Sequence, residues 1–132
     1  MKPFEVRRRN GRFDGVAMPV PTSTPGKVGW LGIYRCELNH RWPDGKVERL
    51  PSAVGLLNGF NINPPEGCDV LWRARLFEVD ASYDESHWLS EDDLTNKRDH
   101  FAFSEEEMES LLLSQGLDPS KLRDMGELPY PI

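Results

Sequence analysis

Apolar and polar residues alternate most regularly over 69–79, DVLWRARLFEV. Successive side chains of a strand point to opposite faces, so Val70, Trp72, Ala74 and Leu76 share one face, and Leu71, Arg73, Arg75, Phe77 and Val79 the other. The first set reads as buried. The second is apolar at both ends and doubly cationic in its middle, so another group must answer the two arginines. Residues 28–42, VGWLGIYRCELNHRW, repeat this design, with Val28, Trp30, Tyr34, Cys36 and Leu38 on one side and Leu31, Ile33, Arg35 and Glu37 on the other. Gly29 and Gly32 remove side-chain volume, as a bend or a close approach by another element requires.

Around these two strands the pattern predicts shorter elements. Asn10-Gly11 favours a two-residue turn between strands over roughly 4–9 and 12–17. PVPTSTPGK, residues 19–27, reads as a surface loop that could act as a lid. Pro43-Asp44-Gly45 returns the chain into KVERL, residues 46–50, as a second hairpin. Ser52 caps a single helical turn before Asn, Gly and Pro dissolve it, and residues 81–100 read as turns and charges pinned by Tyr83, Trp88 and Leu89. FSEEEMESLLLSQGL carries the strongest signals: Ser104 with Glu107 forms a capping box, Phe103 and Met108 a hydrophobic staple, and Gly116 with Leu117 a Schellman end. The helix spans about 105–115 and buries Met108, Leu111 and Leu112; a second short helix follows from Pro119 to Arg123, then an extended tail.

A chain of 132 residues, 38% apolar and 29% charged, fits a single α+β domain over 1–132 with one core. The expected fold is a mostly antiparallel sheet of four to six strands with one or two C-terminal helices packed on one face. The amino terminus lacks the apolar stretch of a signal peptide and no apolar run approaches a bilayer span, so the expectation is a cytoplasmic protein with reduced thiols and no membrane contact. Net charge is unevenly distributed. Residues 1–79 hold 12 Lys and Arg against 8 Asp and Glu, a surplus of +4, whereas residues 80–132 hold 4 against 14, a deficit of −10. A solvated acidic helix beside a mildly basic sheet accounts for much of this.

Known chemical motifs are missing. Gly26-Lys27 lacks the first glycine and the following hydroxyl of a phosphate loop, and no serine stands in a nucleophile elbow. Cys36, His40, Cys68 and His87 do not form the paired spacing of a zinc site, and no local signature supports Cys68 with His87 or His100 as a nucleophilic pair. No catalytic residue, metal or cofactor is therefore assigned. Three surfaces stay as candidates. Arg35, Arg73 and Arg75 could converge on one sheet face as an anion site with Trp30 or Trp72 in its wall, unless Glu37 and Glu48 already pair with them. Glu91, Asp92, Asp93, Glu105, Glu106 and Glu109 could meet a partner protein with a basic surface. Arg7, Arg8, Arg9 and Arg12 around the first hairpin could grip a phosphate backbone, although no basic domain stands behind them.

The leading functional expectation is a small non-enzymatic protein-binding module, of the inhibitor or immunity type, using its acidic C-terminal half. An anionic-ligand pocket or enzyme on the arginine face is the second, and nucleic-acid binding through the hairpin the third. The residues leave oligomeric state open.

Overall fold

A computed structural model of the chain describes residues 8–9, 12–13, 15–83, 91–125, 128, 130 and 131. The two segments rich in alternating apolar residues become the longest strands, β4 (Lys27–Glu37) and β7 (Val70–Asp80). They pair antiparallel along their whole length, and around them β3 (Val16–Val20), β8 (Thr95–Ala102) and β9 (Arg123–Asp124) complete a five-stranded antiparallel sheet in the order β8-β7-β4-β3-β9. The expected α+β class and antiparallel sheet are both present.

Each face of the sheet has its own cover. On one, Val16, Met18, Leu31, Ile33, Trp72, Ala74 and Leu76 meet Met108 and Leu112 of α2 (Glu105–Ser114), forming the main core. On the other, Leu71 packs under α1 (Pro51–Phe60) together with Leu38, Ala53 and Leu57. At the far end of that face Trp30, Phe77 and Val79 pack with Leu94 and with Leu128 and Tyr130 of the C-terminal segment. Burying both faces explains why β4 and β7 carry apolar residues on both sides.

The Ser104 cap and the Gly116 ending expected for α2 are both present, while the expected staple partners divide, Phe103 packing with the α1 cluster and Met108 in the main core. Ser104 accepts from the Glu107 N–H at 3.1 Å. Gly116 at φ 76° and Leu117 donate to the Leu113 and Leu112 carbonyls at 3.0 and 2.9 Å, the pair of bonds that defines a Schellman ending.

Elsewhere the local reading needs correction. Of the first hairpin, the described residues give β1 (Arg8–Arg9) paired antiparallel with β2 (Arg12–Phe13), Arg9 opposite Arg12; Gly15 takes φ 88°, and Val16 and Ala17, expected in the hairpin, instead begin β3 of the main sheet. The second hairpin, β5 (Asn39–Arg41) with β6 (Val47–Arg49), forms its own two-stranded arm instead of extending the main sheet. It departs at Leu38, which is fully buried and whose N–H donates to the Asp69 carbonyl at 2.8 Å. α1 runs ten residues where one turn was expected: Pro51 starts it, Asn61 ends it at φ 55°, and burial of Ala53 and Leu57 outweighs the low propensity of Gly55, Asn58 and Gly59. The segment 95–102 is an eight-residue edge strand where turns were expected. The turn after Asp118 is a short 3-10 stretch, Pro119–Lys121, and Arg123 enters β9 instead of ending a helix. Trp88, Leu89 and the turn Asn10-Gly11 lie outside the described residues.

Candidate functional site

Residues opposite one another in an antiparallel pair share a face. The register sets Tyr34 against Arg73, Gly32 against Arg75 and Arg35 against Trp72. Arg35 and Trp72 therefore lie on the α2 side of the sheet, while Arg73, Arg75 and Trp30 lie on the α1 side. The expected three-arginine face is not assembled. Arg35 pairs with Glu37, its neighbour on the same face.

Arg73 and Arg75 converge on one carboxylate. β8 places Asp99 directly opposite Arg75, and Asp99 Oδ1 accepts from Arg73 Nε at 2.8 Å and lies 3.7 Å from Arg75 Nε. All three side chains are largely shielded, at 22%, 13% and 16% exposure for Arg73, Arg75 and Asp99. Arg73 also sits over the Phe60 ring at 5.0 Å, and Phe60 packs on Phe101 at 4.9 Å. Beside them Tyr130 enters the space left by Gly32, with its hydroxyl 2.6 Å from that of Tyr34 and its ring edge-on to Trp30 and Phe77. This face is thus filled by α1 and the C-terminal segment, and its cations are answered by Asp99, not by the expected Glu37 or Glu48.

The same contact mixes the two halves of the chain electrically. Asp99 belongs to the acidic half and neutralises cations of the basic half, because β7 and β8 are neighbours. The candidate acidic surface also divides. Asp92 and Asp93 precede β8 while Glu105, Glu106 and Glu109 follow it, so the eight residues of that strand lie between the two groups along the chain. Lys97 and Arg98 lie between them. Glu91 starts the 3-10 turn Glu91–Asp93, and its side chain is outside the described residues. Arg8, Arg9 and Arg12 lie on the first hairpin; their side chains, and all of Arg7, are also outside them.

The carboxylates of α2 remain together on a rigid element. Glu106, Glu107, Ser110 and Leu113 are exposed, Glu109 is half-buried, and the helix contains no cation. Leu113 is 60% exposed, more than any other large apolar side chain among the described residues. Exposed Trp42, on the β5–β6 arm, was not singled out by pattern; its indole N–H donates to Glu48 at 3.3 Å and its ring meets His40 edge-on.

Of the two candidate cysteine–histidine pairs, only Cys68 with His100 lies wholly among the described residues. Cys36 and Cys68 border the α1 cluster, burial pushes the Cys36 thiol pKa up, and Cys68 donates to the Val70 carbonyl at 3.1 Å. His100 opposes Ala74 and so faces α2, across the sheet from Cys36 and the α1 cluster that Cys68 borders. His87 is outside the described residues. Among the described residues no group of His, Cys, Asp and Glu could hold a metal ion, and no helix is long and apolar enough to cross a membrane.

At the base of the hairpin arm Arg41 donates to Asp69 at 2.6 Å, and this bond holds the Asp69 pKa below the usual carboxylate range. A depressed carboxylate pKa contributes stability above the unfolded value and loses it as pH falls through the folded one. Replacing Arg41 with Gln is therefore expected to lower the denaturation midpoint at neutral pH, and the gap to wild type should narrow as the pH falls below the ordinary carboxylate range. A gap that persists unchanged in acid would assign the effect to packing.

No known family matches the chain, and neither a curated protein nor a solved structure matches it.

Proposed function

We propose that this chain is a protein-binding module that presents α2 to a partner with a cationic groove. The carrying observation is Leu113, 60% exposed on a helix that bears Glu107 and Glu109, contains no Lys or Arg, and is fixed by Ser104 at one end and Gly116 at the other. Carboxylates on a preordered helix steer a basic surface and fix its register, while one apolar side chain among them seats in a recess as the anchor. Helix capping accounts for the glutamates of the first turn; Glu109 lies beyond that turn and Leu113 has no role in the core.

Immobilised chain incubated with native lysate should retain a partner at low salt and release part of it at moderate salt. Leu113→Ala and the double variant Glu107→Gln/Glu109→Gln should each weaken retention about tenfold or more. Recovery of nothing at either salt, or equal recovery by both variants, contradicts the reading.

A further inference from the structure

The α2 side of the sheet is only partly covered. Beyond Leu76 the strands run on to Gly29 and Glu78, and there a cavity of about 490 Å³ opens beneath the loop that joins β3 to β4. This is within the size range of small-molecule sites. Its floor is apolar, formed by Val20, Gly29 and Leu76. Its polar groups come from three segments distant in sequence: Thr22, Ser23 and Thr24 from the loop, Glu78 from β7, and Asn96, Lys97 and Arg98 from β8, so two cations and one carboxylate line it.

The arrangement is specific in two ways. First, β8 carries a bulge where Asn96 and Lys97 together oppose the single residue between Leu76 and Glu78, and Asn96 takes φ 50°, a left-handed conformation that Asn tolerates better than most residues. The bulge directs the Asn96 amide at Glu78 Oε1, which also accepts from the Thr24 hydroxyl at 3.1 Å. The carboxylate is thereby fixed, and among the described residues Oε2 has no partner. Second, Arg98 opposes Leu76 on the same face, is exposed, and pairs with no carboxylate among the described residues. A carboxylate and a guanidinium thus line one cavity without engaging each other, with Cα positions about 8 Å apart from the spacing of diagonal neighbours.

From this geometry we infer that the cavity binds a free α-amino acid with an apolar side chain, its ammonium donating to Glu78 and its carboxylate accepting from Arg98. An α-amino acid carries both charges on one carbon, so a single small ligand can offer a charge-assisted hydrogen bond to each group. A purely anionic ligand would face Glu78 with like charge, and a purely cationic one would face Arg98 likewise. The apolar side chain then lies against Val20 and Leu76. This site is independent of the α2 surface.

The test is an NMR titration of the full chain with L-leucine, isovalerate and isopentylamine, followed through the backbone amides of Thr24, Gly29, Glu78 and Arg98. L-leucine should shift them with a dissociation constant at or below about 1 mM, and the two singly charged analogues should bind about tenfold or more weakly. Arg98→Gln, an exposed change, and Glu78→Gln should each weaken L-leucine about tenfold or more. No shift with any apolar amino acid up to about 10 mM, equal binding of either analogue, or full binding by Arg98→Gln overturns the inference.

Discussion

Replacing Asp99 with asparagine is expected to destabilise the fold by about 2–3 kcal/mol, because it removes the carboxylate on which Arg73 and Arg75 converge. The change keeps shape and one acceptor oxygen while removing the charge. Removing one partner of a fully buried ion pair costs about 3–5 kcal/mol, and the 13–22% exposure of these side chains returns part of that to solvent. Stacking of Arg73 on Phe60 softens the loss further without replacing the anion. Urea unfolding of wild type, Asp99→Asn, Arg73→Met and the double variant measures the coupling directly. The double variant should lose less than the two single changes added together. Independent, additive losses would mean that Asp99 and Arg73 do not act as a pair.

The second large effect is expected at Gly32. A Cβ there would overlap the Tyr130 hydroxyl, lie 2.8 Å from its Cζ and 3.2 Å from Tyr34 Cε2. β4 cannot retreat, since it is paired on both sides, by β3 and β7. Gly32→Ala should therefore expel Tyr130 from its place against Trp30 and Phe77, costing about 2–3 kcal/mol, in the range of overpacking in a filled site. Tyr130→Ala removes the same contacts by another route. The double variant Gly32→Ala/Tyr130→Ala should lose much less than the two single changes added together, because the overlap with Tyr130 has gone and only the 3.2 Å contact with Tyr34 remains. Additive losses would show that Gly32 is required for some other reason.

Which parts of this molecule were legible in its sequence follows from where the determining information lies. The ends of α2 are set by adjacent residues, and Ser104, Gly116 and Leu117 act as their local signals require. β4 and β7 were legible because two-residue alternation is also local. Their relative phase is not: alternation divides each strand into two sets, but only the register decides which set of β4 joins which set of β7. Arg35 was thus placed with Arg73 and Arg75, whereas it stands opposite Trp72 on the other face. β8 was missed because an edge strand exposed at Thr95, Asn96, Lys97 and Arg98 carries the composition of a loop. α1 was underestimated because glycine and asparagine lower its propensity while its stability comes from Leu38 and Leu71, elsewhere in the chain. The cavity under the β3–β4 loop joins groups from three segments, and no single stretch signals it. The loop over 19–27 has the composition of a lid, and it lies over the Glu78 and Arg98 end of the sheet.

These placements have one root: the pairing of β4 with β7 closes the Arg73 and Arg75 face around Asp99 and Tyr130 and leaves α2 and the open end of the opposite face directed outward. Cross-strand Hα–Hα contacts measured by NMR read that pairing directly. They should appear within one of two alternating series, Trp30 with Phe77, Gly32 with Arg75 and Tyr34 with Arg73, or Leu31 with Leu76, Ile33 with Ala74 and Arg35 with Trp72. Contacts joining Arg35 to Arg73 or Arg75 as directly opposed residues would contradict it, and would return all three guanidinium groups to one face.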